Sequence, residues 1–481
     1  MKLAAAGMGA DALFEQMEGY RAHDMRWRSG RTFAYVYDAG EAVDAVARRA
    51  YLAFLGENAM DPTVFPSLMR FENELVAIGA AHLGGDPHEV AGSFTSGGTE
   101  SIILAVKTAR DRARVLHPQI TKPELLLPVT AHAAFHKASH YLGLEPVTVP
   151  VDPQTFQVSP DAMRAAITDQ TVMMVASAPG YGHGVIDPIA ELGALALERD
   201  LLLHVDACVG GWLLPYFRRL GKDVPAFDFS VPGVTSMSMD LHKYAFCAKG
   251  ASLVLYRDRA LRRHQWYACS EWTGYTVVNS TVQSTKSGGP LAAAWAVVNF
   301  LGEDGYLELA RQTVAGIDEL LTGLRALDDF RVLGDPQFCM AAVTSETVGM
   351  FHVIDEMKRR GWYIQPQLSF QGSPTNIHFS IQPGNAGKVG AMLEDLRGAI
   401  EAVRDKPFGH ITATIRQQFG ELGAGDLDEA MFGRLLAVAG VQGVSLPERM
   451  AEINEVLDGL PRPVSRRLLI EFLNELYMPV R

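Results

Sequence analysis

Between the charged pair Arg199-Asp200 and the glycine pair Gly210-Gly211 lies the apolar run Leu201-Leu202-Leu203-His204-Val205, which ends on Asp206. A short apolar run without alternation marks a strand covered on both faces, and such strands belong to parallel sheets flanked by helices. The chain is therefore expected to build an α/β sheet with Asp206 at the carboxyl end of a central strand, the edge where open α/β sheets bind ligands. Further strand candidates, Glu124 to Val129 and Thr171 to Ser177, alternate with helical segments and extend the same reading.

Downstream of Asp206 stands Ser236-Met237-Ser238-Met239-Asp240-Leu241-His242-Lys243-Tyr244. Taken singly, a His-Lys pair reads as a solvated loop and an aspartate after a strand as a cap or turn residue. In this order they have a chemical meaning. A lysine amine can bond the aldehyde of pyridoxal 5'-phosphate, and an ionised aspartate can pair with the pyridine nitrogen and keep it protonated. Upstream, Thr95-Ser96-Gly97-Gly98-Thr99-Glu100-Ser101 leads into the helical run Ile102 to Arg110. Its glycines allow close backbone approach, its hydroxyls can donate, and a helix start favours an anion, so the segment reads as a phosphate cup. It lacks the lysine spacing of a nucleotide loop.

With these elements the chain resembles the group of pyridoxal-phosphate enzymes that contains sphingosine-1-phosphate lyase and, more distantly, the decarboxylases of aromatic amino acids and glutamate. The similarity runs from about Gly30 into the C-terminal region. It includes Val64-Phe65-Pro66, the cup, Thr130 to Phe135, His183-Gly184-Val185-Ile186-Asp187-Pro188, His204 to Gly211, Gly233 to Tyr244 and Lys249 to Tyr256. Lys249 and Cys208 resemble the lyase branch more than the decarboxylases.

The resemblance implies the aspartate aminotransferase-like fold (fold type I): an α/β architecture with a large, mostly parallel sheet domain and a smaller α+β C-terminal domain. It also implies roles. Lys243 would bond the cofactor, Asp206 would pair with its ring nitrogen, His132 would stack on the ring, and Cys208 would pack near the opposite face. Gly98, Thr99 and His242 would contact the phosphate. The segment Ser284-Thr285-Lys286 would approach the cofactor phosphate of a second chain, which makes a homodimer the expected assembly. The implied reaction is a retro-aldol cleavage of an amino alcohol, with amino-acid decarboxylation as the alternative. Tyr37 and Lys249 would hold a substrate phosphate.

Composition agrees. With 481 residues, 48% of them hydrophobic, the chain can bury a large core. The boundaries read as an N-terminal segment 1–60, an α/β cofactor domain 61–300 and a C-terminal α+β domain 301–481. Short strands are expected at Val348 to His352 and at Asn376 to Ser380, and a helix at Glu41 to Leu55. A formal charge of -12 argues against nucleic acid and anionic lipid as partners, and the resemblance implies a small-molecule amine as substrate. The cysteines Cys208, Cys247, Cys269 and Cys339 have neither metal-ligand nor disulfide-framework spacing. With no secretory signal or membrane-spanning stretch, a cytoplasmic protein is expected.

Two positions depart from the lyase pattern. Where the lyases carry a histidine near the substrate phosphate, this chain has Asp61; a carboxylate there would repel a phosphate by about 1–4 kcal/mol, unless it pairs with Lys249 or, beside Pro62, only shapes a turn. Where they carry a tyrosine, it has Val277, and Tyr275 is the nearest replacement. A catalytically silent relative would be expected to lose the lysine or the aspartate, and both are present.

Overall fold

A computed structural model describes residues 3, 5–423, 425 and 449–479. Its centre is a seven-stranded sheet of β1 (Ala91–Thr95), β2 (Glu124–Pro128), β3 (Glu145–Val149), β4 (Thr171–Ser177), β5 (Leu202–Asp206), β6 (Ser236–Met239) and β7 (Ser252–Tyr256), in the order β1-β7-β6-β5-β4-β2-β3. Neighbours from β6 through β3 pair in parallel, and β7 runs antiparallel to both β1 and β6. β4 and β5 are buried along their whole length, because helices cover both faces, and this is why their sequences show no alternation. Since β7 alone is reversed, the carboxyl ends of β1, β2, β4, β5 and β6 share one edge.

A second sheet, β10 (Arg331–Val332), β11 (Met340–Thr344), β12 (Gln365–Gln367) and β13 (Asn376–Ser380), is antiparallel in the order β10-β11-β13-β12. It follows the long helical stretch Gly288–Arg325, which is broken at Gly302 by non-helical backbone. A hairpin of β8 (Tyr267–Cys269) and β9 (Val277–Asn279) lies apart from both sheets. The α/β class with a mostly parallel sheet and an α+β C-terminal part is as the sequence implied. The helix expected from Glu41 spans Glu41–Ala53.

The strand expected at Val348 to His352 is instead the entry to a helix, Met350–Arg359. Over a few residues an apolar cluster fits either period, but Met350, Phe351, Val353, Ile354 and Met357 are all buried, a helical face that only the longer window reveals.

One strap of N-terminal chain joins the two sheets. Phe33 N–H donates to Tyr363 O at 2.9 Å and Phe33 O accepts from Ser380 N–H at 2.7 Å, while the Phe33 ring packs edge-on against Trp362 and Phe379. Beyond Phe33 the strap carries Tyr35 and Tyr37 toward the edge of the large sheet. Tyr244, just after Lys243, meets it there: its ring lies 4.9 Å from that of Tyr37 and its hydroxyl donates to Ile381 O at 2.8 Å.

The helix Ile189–Arg199 packs so closely on the loop before β6 that a Cβ at Gly233 would fall within the van der Waals radius of the Gly193 carbonyl. Gly233→Ala is expected to destabilise the protein by about 1–3 kcal/mol, the usual cost of overpacking. A urea denaturation midpoint lower than that of the unmodified protein checks this; an unchanged midpoint would mean the two segments do not touch.

Candidate active site

At the shared strand edge is a cavity of about 360 Å³ whose wall is supplied by successive strand ends. β1 leads to Ser96, Gly97 and Gly98, and the loop after β2 gives His132. β4 ends on Ser177 and continues to Tyr181, β5 ends on Asp206 with Cys208 beyond, and β6 leads to Asp240, His242 and Lys243. Parallel strands with crossover helices deliver side chains from distant parts of the sequence to one point in this way.

The strongest interaction in the cavity is between Lys243 and Asp240. Lys243 Nζ lies 2.8 Å from Asp240 Oδ2, and the Asp240 side chain is 2% exposed. Burial works against both charges. For Lys243, burial is offset by Asp240 together with Cys208 and Tyr37, and the amine is raised above its ordinary value. For Asp240, burial is offset by Lys243, His242 and the Ser252 hydroxyl, which together hold the carboxyl below its ordinary value. The His242 ring, 3.7 Å from Asp240 Oδ2, is pulled down, chiefly by burial. Asp240 Oδ1 has no hydrogen-bond partner among the described residues.

Asp206 Oδ1 accepts from Cys208 N–H at 3.0 Å and from Ser238 Oγ at 3.4 Å, so its carboxylate is fixed by its own strand end and by β6. Cys208 Sγ donates to Ser238 Oγ at 3.2 Å, and burial pushes the thiol well above its ordinary pKa. His132 is exposed on the cavity wall, not buried in the core. It caps the helix Ala133–Leu142, with Nδ1 accepting from Ala134 N–H at 3.2 Å.

The cup opens the helix Gly98–Leu116. A Cβ on Gly98 would come within 2.7 Å of Cys208 Sγ and 2.9 Å of both Asp240 oxygens, so only glycine fits between the helix start and the residues behind it. Glu100, 7% exposed, ties the cup from below: Oε2 accepts from Ser96 N–H at 2.7 Å and Ser96 Oγ at 2.8 Å, and Oε1 from Val282 N–H at 2.7 Å. A helix start where only glycine fits, a lysine that can bond an aldehyde and an aspartate that can pair with a ring nitrogen, within one cavity, fit an anionic, nitrogen-containing cofactor such as pyridoxal 5'-phosphate.

At the rim, Lys249 Nζ stands 4.8 Å from the centre of the Tyr37 ring and donates to Tyr35 O at 3.4 Å and His242 O at 3.3 Å. Although exposed to solvent, its amine is crowded by protein atoms and repelled by Lys243, which together pull it down to about 8. Tyr181 donates to Gln365 Oε1 at 2.6 Å; burial, then Tyr35, pushes its phenol up to about 12.

The structure does not bring every expected residue to this cavity. Asp61 is exposed in a turn, where its Oδ1 accepts from Thr63 N–H at 2.8 Å and Thr63 Oγ1 at 2.6 Å. The Asp61–Lys249 pairing considered from the sequence is not formed; Asp-Pro-Thr satisfies its own carboxylate in a local turn. Ser284 and Thr285 are exposed away from the cavity of their own chain, while Lys286 is buried and holds Glu72 Oε2 at 2.6 Å. Tyr275 is exposed in the β8–β9 hairpin and does not replace the missing phenol within the chain.

Asp240 and Tyr181 were missed as site residues. Their signal was position: Asp240 follows β6 and Tyr181 follows β4, at the same edge as Asp206.

Comparison with known proteins agrees with this geometry. Residues 14–344 match the pyridoxal-dependent decarboxylase conserved domain, and residues 413–475, described here in part, match a model called "Pyridoxal-dependent enzyme, C-terminal putative HTH domain". The chain is 39% identical to a sphingosine-1-phosphate lyase of Arabidopsis thaliana over 88% of its own length and 77% of the relative's. It is 31% identical to that of Saccharomyces cerevisiae over 84% and 69%. Among solved structures, the sphingosine-1-phosphate lyase of Burkholderia pseudomallei superimposes with a TM-score of 0.80 at 36% identity, covering 87% of this chain and 96% of that one. Glutamate decarboxylase of Lactobacillus brevis shares the fold, with a TM-score of 0.74 at 19% identity over 85% of this chain and 96% of that one.

Lys249 is expected to be acylated by an amine-reactive reagent with half-maximal rate near pH 8, against 10.5 for an ordinary lysine. Mass-spectrometric labelling across that range reads this directly; a midpoint above pH 10 would show that the amine is not crowded.

Proposed function

Because the chain belongs to the sphingosine-1-phosphate lyase-like branch of the pyridoxal-dependent decarboxylase family, we propose that its cavity holds pyridoxal 5'-phosphate and cleaves a phosphorylated long-chain amino alcohol. The observation that carries this reading is the convergence of Lys243, Asp206 and the Gly98 helix start on one cavity. Lys243 is the attachment point, Asp206 holds the ring nitrogen, His132 and Cys208 flank the ring, and Gly98, Thr99 and His242 hold the phosphate. Bound there, the cofactor supplies an electron sink for breaking a bond at the substrate's amine-bearing carbon.

The protein's own groups select which bond breaks. Lys249, whose amine has no carboxylate partner among the described residues, and Tyr37 hold the substrate phosphate, so that the carbon chain leaves as an aldehyde and the phosphate stays on the ethanolamine product. In its own chain Asp61 lies in an exposed turn outside the cavity lining, held there by Thr63, so its charge does not face a phosphate in that cavity. Tyr181 stands at the cavity where Val277 and Tyr275 offer no phenol; with its pKa pushed up to about 12 it is protonated at neutral pH and, oriented by its hydrogen bond to Gln365, can donate a proton to the reacting substrate.

The assembly is a homodimer in which Ser284 and Thr285 reach the cofactor phosphate of the second chain. Their exposure supports this. So do the uncovered Trp272, Tyr275, Val278 and Val282 beside them, an apolar surface of a kind that marks protein contacts.

Lys243→Ala is expected to abolish both turnover and the visible absorbance of the bound cofactor, and retained activity would overturn the attachment point. A panel of phosphorylated long-chain bases, β-hydroxy amino acids and plain amino acids should give aldehyde from the first; carbon dioxide from the last would instead mark a decarboxylase. Tyr181→Phe should lower kcat by about 100-fold or more with little change in KM, the range for loss of a general acid–base group. The active species should sediment as a dimer at micromolar concentration.

A further inference from the structure

We infer that Asp240 is a binding residue for the cofactor phosphate, and that it takes up a proton from solvent when the site is filled. The inference rests on the proposal that this cavity holds pyridoxal 5'-phosphate.

Asp240 is almost wholly buried, and its Oδ1 is orphaned among the described residues. Both oxygens face the first residue of the helix Gly98–Leu116, since a Cβ on Gly98 would lie 2.9 Å from each. A helix start attracts an anion through its free N–H groups and its dipole. The place that suits the phosphate therefore adjoins a carboxylate, and two anions at such range in a buried site do not both stay ionised.

While the site is empty of phosphate, the Lys243 ammonium 2.8 Å away neutralises Asp240. Filling the site condenses the Lys243 ammonium with the cofactor aldehyde: a C=N bond forms, the aldehyde oxygen leaves as water with two of the ammonium's protons, and the third stays on the nitrogen, now drawn away from Asp240, so that a proton for the carboxylate has to come from solvent. The other groups around the carboxylate do not replace it. His242, 3.7 Å away, is disfavoured as a cation by burial. Lys249 is directed to the carbonyls of Tyr35 and His242. Cys208 and Tyr37 are held neutral by burial. Asp206 is a further carboxylate bonded to Cys208 N–H, and Glu100, under the cup, is a carboxylate already saturated by backbone and hydroxyl donors. A proton on Asp240 resolves the conflict: the carboxyl O–H donates to a phosphate oxygen, and the orphaned oxygen gains a role. Asn at this position would give the phosphate an N–H donor without any proton uptake.

The test is a proton count. The full-length protein is stripped of cofactor, and pyridoxal 5'-phosphate binding is followed by calorimetry in buffers of different ionisation enthalpy, for the unmodified protein and Asp240→Asn. Because Asp240 also keeps Lys243 charged, each protein is measured with pyridoxal 5'-phosphate and with pyridoxal, which lacks the phosphate, and the lysine's contribution cancels in the difference. The phosphorylated cofactor should draw about one proton more than pyridoxal into the unmodified protein, an excess absent from Asp240→Asn, and the unmodified protein's preference for the phosphorylated form should weaken with pH about tenfold per unit more steeply than the variant's. The same excess in both proteins, or none in the unmodified one, would overturn the inference. Should Asp240→Asn not fold, infrared difference spectra of the unmodified protein decide. A protonated-carboxyl band that appears with pyridoxal 5'-phosphate and not with pyridoxal supports the inference, and its absence overturns it. Failure of the unmodified protein to develop any visible absorbance with the cofactor would sink the proposed function itself, an outcome distinct from binding without the extra proton.

Discussion

The buried pairing of Asp240 with Lys243 is the constraint on which the rest of the site depends. Taking either charge out of water alone would cost several kcal/mol, and removing one partner of a buried pair typically destabilises by about 3–5 kcal/mol because the other is left uncompensated. The two must therefore be placed by elements that do not move apart. Both follow β6, whose parallel pairing with β5 fixes Asp206 beside Ser238 and whose antiparallel pairing with β7 fixes the floor. The cup, Asp206 and Lys243 are consequently one rigid unit and not three loops. The sheet was needed to make the charges affordable.

The second constraint is the strap from Gly30 to Asp38. It hydrogen-bonds to the C-terminal sheet through Phe33 and reaches the large sheet through Tyr37, so the rim of the cavity is built by parts of the chain far apart in sequence. Tyr35 adopts φ 63°, a left-handed conformation that is costly for a bulky side chain, and its carbonyl is thereby available to Lys249. The strain sits at the rim of the cavity beside Lys249, while the buried Phe33 cluster holds the strap in place.

How much of this could be read from the sequence follows from what each residue's surroundings require. Asp206 and Lys243 were legible because a buried strand end and a His-Lys pair are local patterns with few other uses in this order. The strands at Thr171 to Ser177 and Asn376 to Ser380 were legible because both are buried along their length. Asp240 was not, since an aspartate after a strand is an ordinary turn residue until the Gly98 helix, distant in sequence, is seen packed against it. Tyr181 was hidden for the same reason: its meaning depends on Gln365, from the other sheet. Asp61 was read toward the substrate from an aligned position, whereas Thr63, two residues on, engages its carboxylate. The Val348 to His352 run failed because burial on a helical face and burial in a strand look alike over so short a window.

Glu100 ties the glycine cup to the loop proposed to enter a second chain. One carboxylate oxygen holds Ser96 at the cup, and the other holds the backbone of Val282 in the loop after β9. The same loop leads to the exposed Ser284 and Thr285 and then to Lys286, which is anchored on Glu72, whose other oxygen accepts from Phe94 N–H at 2.9 Å in β1. The segment proposed to enter the second chain is thus held at both ends by carboxylates bonded to β1 and the cup of its own chain. A shift of the cup on cofactor binding would be transmitted through Glu100 to the loop, and a loop ordered by a second chain would in turn hold the cup. Coupling of this kind is reciprocal by thermodynamic necessity: whatever factor a second chain applies to cofactor affinity, the cofactor applies to assembly.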